Sequence, residues 1–399
     1  MTRPARRPIA VLALSVVLLA SLAGCSGGKK EERPDTYASL GFTGSDATGR
    51  DAAAWPDLAG QTLTILDHGA FAAFDDAAHL FENLTGAKVV HVEADDAGAA
   101  LNRAILEKGS PSADVLYGVD NVLLLRAESS GILEPYTPLL AHRVAPQFVF
   151  FADDDNRSAD APWPATPVDH GYIAVNYDRN ATALRNATVA NLNDVRDHAD
   201  QFVTEDPNTS SVGLGFLLAT IATFGDPGWQ TYWDQLLSRG ALVTPGWSEA
   251  YEQHFSAGYG ADPSFGGKAD KAIVASYTES PAYEVYYGRP ASQIGGVVTV
   301  PRSTFRQVQT MAILEGTPHL AAAQAWVEFT LTDAFQGLAA PGNAVYPVVP
   351  GIDVSGTYGG LDPPPSSLVP ADLGYRAIGA SLQAWLPQWT ALCERHDCR

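Results

Sequence analysis

The chain has 399 residues with 45 acidic and 25 basic side chains, a formal net charge of −20. That balance excludes duplex nucleic acid as a partner, because phosphate binding depends on clustered Lys and Arg, and no run of five basic residues occurs. An apolar fraction of 46% and a mean hydropathy of −0.04 exclude both a disordered chain and a polytopic membrane protein. At roughly 100–200 residues per domain, two domains with full hydrophobic cores are expected.

Residues 1–24 carry Arg3, Arg6 and Arg7 ahead of an apolar run from Ile9 to Leu22, the basic and hydrophobic regions of a secretory signal. The segment ends Leu22-Ala23-Gly24-Cys25, which resembles the lipobox at which bacterial-type lipoproteins are cut and lipidated. Cys25 is therefore expected to become a lipid-bearing N-terminus on the outer face of the cytoplasmic membrane. An uncleaved anchor helix is the alternative, and the apolar run is short for a span. Removal of the leader leaves 22 basic and 45 acidic groups, net −23, with lysine at six positions. Such an acidic surface is a solubility device that also draws in cations at low salt. Residues 25–60 lack hydrophobic periodicity and read as a solvated tether, with a reach of about 30 Å as a flexible coil. Asn-x-Ser/Thr sequons start at Asn83, Asn156, Asn180, Asn186 and Asn208 and matter only in a host that glycosylates.

From Gln61 the pattern alternates. Leu63–Leu66 reads as a strand, and Asp75-Asp76 as the cap of a helix with Ala77, Leu80, Phe81 and Leu84 on its apolar face. Strands at Val89–Val92 and Ala113–Tyr117 flank a helix at Ala99–Leu106, and another helix starts near Asn121. A second set opens with Tyr172–Val175 and continues through helices at Ser211–Phe224 and Trp229–Leu237 to a strand at Ala272–Tyr277. Residues 297–314 are strand-like, and helices at His319–Leu331, Asp333–Leu338 and about Leu382–Leu392 close the chain. Units of this kind imply a largely parallel sheet covered on both faces, in two α/β lobes joined by extended crossings.

Cys393 and Cys398 have four residues between them. With Cys25 lipidated, they form an even extracytoplasmic pair, expected as a small disulfide loop. A metal site from Cys393, His396 and Cys398 is the weaker alternative. Enzyme signatures are incomplete: Gly213-Leu214-Gly215 lacks a third glycine, there is no P-loop, and Gly246-Trp247-Ser248-Glu249-Ala250 lacks the last glycine of a nucleophile elbow. A hydrolase built on Ser248 with His254 or His319 is a minor alternative. Ser210-Ser211 opens a helix, where free N–H groups make either an ordinary N-cap or a cradle for a polar or anionic ligand. Trp247, Tyr277 and Tyr283 stand on segments leaving strands, positions that either pack a core or face a cleft.

Taken in order, Val119-Asp120-Asn121, Asp169-His170-Gly171-Tyr172, Asp206-Pro207, Ser210 to Gly215, Gly246-Trp247-Ser248-Glu249-Ala250-Tyr251, Ser276-Tyr277 with Ser280-Pro281-Ala282-Tyr283, and Gly342-Asn343 with Tyr346-Pro347 resemble one family. It is the thiamine-binding solute receptors of ABC transporters, and the resemblance spans roughly Leu63 to Trp389. It implies an α/β, two-lobed periplasmic binding protein fold (type II) with ligand in the interlobe cleft. Residues 61–168 would form the first part of lobe I and 169–304 lobe II, with 305–399 returning to lobe I and adding C-terminal helices. The implied ligand is thiamine, thiamine monophosphate or thiamine diphosphate, with no cofactor and no metal. The implied partners are a permease with its ATPase, and the receptor would be a monomer. By family position Asp96 and Ser210 make polar contacts, and Trp247, Tyr277 and Tyr283 line the pocket. His68-Gly69 stands where the family has a tyrosine and an acid, Asp75 or Phe74 where it has tryptophan, and Ala344 replaces another tryptophan. His68 and Asp75 are thus candidate ligand contacts in an altered pocket. A receptor of this fold for another heterocyclic or cationic solute is the main alternative. Asp120 and Asp169 are expected to brace loops and the crossing.

Overall fold

The computed structural model describes residues 54–68, 71, 73–94, 96–152, 157–158, 160–258, 267–281, 284, 295–343, 345–354 and 373–398. The expected leader, Cys25 and most of the expected tether lie outside these residues, as do Gly69, Tyr283 and Ala344. The first units are β1 (Thr62–Asp67), α1 (Phe74–Thr85), β2 (Lys88–Glu93), α2 (Ala97–Leu106), β3 (Val115–Asp120) and α3 (Leu124–Ser130). β1 pairs in parallel with both β2 and β3. Every residue of β3 is buried, as expected for a central strand covered on both faces.

The chain then crosses through β4 (Thr166–Tyr177), a strand of 12 residues, into α4 (Leu192–Asp197), β5 (Phe202–Glu205), α5 (Ser211–Phe224), α6 (Gly228–Ser238) and β6 (Leu242–Thr244). A π-helical turn at Ser248–His254 leads to β7 (Ile273–Tyr277), followed by β8 (Gly296–Val298) and β9 (Phe305–Ile313), which crosses back. α7 (Leu320–Thr330), α8 (Asp333–Asn343), β10 (Tyr346–Pro347) and α9 (Tyr375–Arg395) complete the order. One sheet runs β2-β1-β3-β9-β4-β7-β5-β6, with β8 and β10 attached to β4. Its two ends are parallel (β5 pairs so with β6 and β7), whereas β4 and β9 run antiparallel to each other and to β7 and β3. The largely parallel sheet expected from the alternating pattern is therefore mixed, because the two crossing strands traverse the molecule in opposite directions.

Separate cores flank the two halves. On one, Trp326 sits among Phe74, Phe81, Phe329 and Phe335 with ring centroids 5.1–6.4 Å apart. On the other, α5 is buried nearly all round, because its sequence is apolar on every side; its Phe216 packs edge-on against Trp233 of α6 at 5.5 Å. α9 spans both: Gly379 lies against Leu125 of α3, and Trp389 packs edge-on against Trp233 at 5.6 Å. Cys393, in the last turn of α9, is joined by a disulfide to Cys398 just past it, with Cα atoms 5.1 Å apart, and His396 bonds Asp234 at 2.9 Å. That arrangement removes the thiolates a metal site would need.

Several boundaries differ from the sequence reading. Residues 54–60 are not tether: Trp55 is buried edge-on against Phe81 and Phe329, and Leu58 N–H donates to the Thr85 carbonyl at 2.7 Å. Asp75 and Asp76 lie inside the first turn of α1, whose N-cap is Ala73 with no side-chain cap; they act through the helix dipole instead. β3 begins at Val115 and continues past Gly118 (φ +97) through a bulge to Asp120, so α3 starts at Leu124 and not near Asn121. The boundary expected at residues 168/169 falls within β4.

Truncating Trp326 to alanine empties the centre of the first core. Loss of a buried tryptophan costs about 3–5 kcal/mol, so Trp326→Ala should lower the urea midpoint without changing the slope, as read by tryptophan fluorescence.

Candidate functional site

The ends of the strands, where ligands bind in open α/β sheets, carry most of the side chains singled out by the sequence. His68 follows β1. Its Nε2 lies 2.9 Å from Gln309 Oε1 of β9 and its ring 5.4 Å from that of Tyr117. A Cβ at Gly118 would overlap the imidazole, so glycine there lets His68 lie against β3. Asp96 follows β2 as the N-cap of α2 and accepts from Gly98 N–H at 3.2 Å. Burial pushes its carboxyl up to about 6; that amide and the His68 charge oppose the rise, and Asp120 adds to it.

Asp120 closes β3. Its Oδ1 accepts from the Val122 and Leu123 amides at 2.9 and 3.0 Å, and its Oδ2 accepts from Gln307 Nε2 at 2.8 Å. Gln307 Oε1 in turn accepts from the Tyr277 hydroxyl at 3.0 Å, linking the end of β3 through β9 to the end of β7. Asp169, on β4, accepts from the Tyr117 hydroxyl at 2.5 Å, and burial raises it to about 6. The two acids expected to brace loops and the crossing make bracing contacts of that kind.

From the other half, Ser210 caps α5, its hydroxyl accepting from Gly213 N–H at 3.4 Å, and the side chain is buried. Trp247 follows β6, half-buried, with its indole N–H donating to Ser276 Oγ at 2.8 Å. Tyr251 stacks on one face of the indole at 4.8 Å and 11°, so a flat ligand can meet only the other face. Tyr277 ends β7, its hydroxyl held well above its ordinary range by burial and by the charges of Glu279, Asp96, Asp120 and Glu205. Two of these acids were missed in the sequence. Glu279 accepts from the Tyr172 amide at 3.2 Å and from the Thr278 hydroxyl, and a Cβ at Gly171 would overlap it. Glu205, the last residue of β5, is fully buried. Both stand beside proline-containing turns, at Asp206-Pro207 and Ser280-Pro281, where an acid is ordinarily exposed.

Electrostatic interactions thus link His68, Asp96, Tyr277, Glu205 and Glu279, and Trp247 is bonded to Ser276, next to Tyr277. Asp75 does not join them: it is exposed on the first turn of α1. Phe74, the other residue at that family position, is buried against His91 at 4.0 Å. Tyr283 lies outside the described residues. Ser248 opens the π-helical turn, while His254 is engaged by Asp270 at 2.7 Å and Lys268 at 2.9 Å, and His319 by Asp114 at 3.0 Å. These contacts leave neither histidine arranged as a base for Ser248. Among the described residues no group of three or more His, Cys, Asp or Glu is placed to hold a metal ion.

Residues 67–337 match the family described as bacterial extracellular solute-binding protein. The chain belongs to this family. The thiamine-binding periplasmic protein of Escherichia coli (strain K12) is 28% identical over 346 residues, covering 85% of this chain and 96% of that protein. Its namesake in Brucella abortus biovar 1 is 27% identical, covering 79% and 86%. A solved structure titled periplasmic thiamin binding protein superposes with a TM-score of 0.69 at 26% identity, over 84% of this chain and 99% of that one. The ferric binding protein from Campylobacter jejuni, at 16% identity and a TM-score of 0.65, shares the fold. The fold is the two-lobed type II form of the periplasmic binding proteins, and the protein is a solute-binding component of import.

The buried acids set a pH dependence. Burial lifts Glu279 from its ordinary 4.5 to about 8, so between those values the folded protein holds a proton that the unfolded chain has released. Its contribution to stability is full below pH 4.5 and is lost as pH rises toward 8. Glu279→Gln should flatten that fall and make the empty protein more stable than the parent at pH 8, measured as urea midpoints at pH 5, 6.5 and 8.

Proposed function

We propose that the protein captures thiamine, or one of its phosphate esters, in the cleft at the strand ends and delivers it to a membrane permease driven by a cytoplasmic ATPase. The observation that carries this reading is the grouping of an acceptor carboxylate (Asp96), a half-buried indole with one face covered (Trp247) and Tyr277 within a field of acids. A carboxylate can accept from the amino group of an aminopyrimidine, and an indole face attracts a flat cation such as thiazolium. The names of the relatives support the same ligand. Asp96 and His68 serve from the first lobe, while Ser210, Trp247, Tyr277 and Tyr283 serve from the second. On this reading β4 and β9 form the hinge between the lobes, and the C-terminal helix, assigned to the first lobe by the sequence, packs much of its length on the second. Ligand contacts to both sides favour the closed form.

The acids also order the ligands. A phosphate brought among them adds repulsion, offset in part by the positive end of the α5 dipole. Free thiamine should therefore bind more tightly than its monophosphate, and the monophosphate more tightly than the diphosphate. No bond is broken in the ligand. Cys25 carries lipid and holds the receptor, as a monomer, at the outer face of the membrane.

Calorimetric titration of the detergent-solubilised chain, unfolded and refolded to strip bound ligand, tests this. One-to-one binding of thiamine is expected, weakened about tenfold or more by Asp96→Asn and by Trp247→Ala, which is about 1.4 kcal/mol or more each. No heat and no thermal shift with thiamine or either ester would overturn the ligand and leave the fold standing.

A further inference from the structure

The site's oddest member is Glu205. It ends β5 between β6 and β7, pairing with Thr244 across one edge, and none of its surface reaches solvent. Alternation along β5 puts its side chain on the same face as Val203, the face packed by Tyr251, Ala250 and half-buried Trp247. Among the described residues neither carboxyl oxygen has a hydrogen-bond partner. The neighbouring Thr204 hydroxyl and its own amide lie close enough to ease the burial electrostatically but not in hydrogen-bonding geometry. The charge of Asp96, from the other half of the sheet, reaches it, and its own charge reaches Tyr277. A buried acid with both oxygens unmatched is costly and is seldom kept for stability alone. A hydrocarbon or amide side chain of similar size would fill the place at lower cost.

We propose that Glu205 is a second ligand-recognising carboxyl of the cleft, set opposite Asp96 and matched to a cationic ligand that presents N–H donors. The proposal rests on the reading of the cleft as a receptor for a thiamine-like cation, and it adds a specificity residue from the second lobe. Asp96 and Glu205 form two acceptor groups, one from each side, between which a planar donor-bearing cation is clamped. A neutral isostere leaves one carboxyl unmatched and is rejected, because a buried polar group without its partner costs more than a lost contact. Gly213 supports the placement: a Cβ there would overlap the Glu205 carbonyl, so glycine lets α5 begin directly against the end of β5.

The test compares the full chain, detergent-solubilised, with Glu205→Gln, which keeps size and shape. Thiamine is titrated calorimetrically, and melting without ligand is recorded at pH 8. The expected result is at least a tenfold loss of thiamine affinity with a melting temperature equal to or above that of the parent. Unchanged affinity with raised stability would make Glu205 a structural acid and overturn the proposal. Should Glu205→Gln fail to fold, Glu205→Asp draws the carboxyl back by one methylene and must lose at least fivefold in affinity; an unchanged value overturns the proposal equally. If the parent itself does not bind thiamine, the ligand reading fails. Glu205 is then judged by thermal shift with N-methylpyridinium, N-methylthiazolium and 4-aminopyrimidine against pyridine and thiazole. Stabilisation of the parent by the donor-bearing or cationic compounds, absent in Glu205→Gln, upholds its role, and no such selectivity overturns it.

Discussion

Five carboxyl groups, on Asp96, Asp120, Asp169, Glu205 and Glu279, are withdrawn from water near the middle of one sheet, and burial raises all five. Four are held there by backbone geometry, through the amide at the start of α2, the amides of residues 122 and 123, the Tyr172 amide and the close approach of α5 to β5, and Asp169 by the Tyr117 hydroxyl. The strand ends have to converge for these contacts to exist, so the site and the sheet topology are one requirement. Burial and mutual repulsion both favour protonation, and the charge of His68 opposes this at Asp96, Asp120 and Asp169. A cation entering the cluster does the same for every member at once.

The two halves meet through polar contacts as well as through strands. Tyr277, Gln307 and Asp120 form a continuous chain of hydrogen bonds from β7 across β9 to the loop after β3. Tyr117 and Asp169 tie β3 to β4 in the same region. Any rotation of one half against the other strains these side chains before it reaches either hydrophobic core, since Trp326 and Trp233 lie in separate clusters. α9 adds a third connection, packed on α3 at one end and α6 at the other.

Much of this was legible in the residues, for identifiable reasons. β1, α5 and β7 were found because apolar runs or a hydroxyl cap mark them; Trp247 and Tyr277 were singled out as aromatics on segments leaving strands, and Asp96 by the family resemblance alone. What escaped depends on partners distant in sequence. Pro167, Asp169 and His170 look like loop residues, yet they belong to β4, where β9 and β10 cover them. Gly118 looks like a stop and is a bulge. Trp55 looked solvated because Phe81 and Phe329, which bury it, are far along the chain. Glu205 and Glu279 were missed because an acid beside a proline-containing turn is ordinarily exposed. Only the strands around them remove that exposure.

Charge and hinge then combine on the proposed reading. Asp96 and Glu205 come from opposite halves, and in the empty receptor burial favours their protonated, uncharged forms. A bound cation favours the ionised forms instead, since each acid then faces an opposite charge. A ligand shifts a conformational equilibrium only by the difference in its affinity for the two states, and contacts made from both halves exist only in the closed one. The same pair of carboxyls therefore loses hydration without a partner when an empty cleft closes, and gains an opposite charge when the cleft closes over a cation. A neutral solute of the same shape would fill the space without that gain, and so would favour closure less.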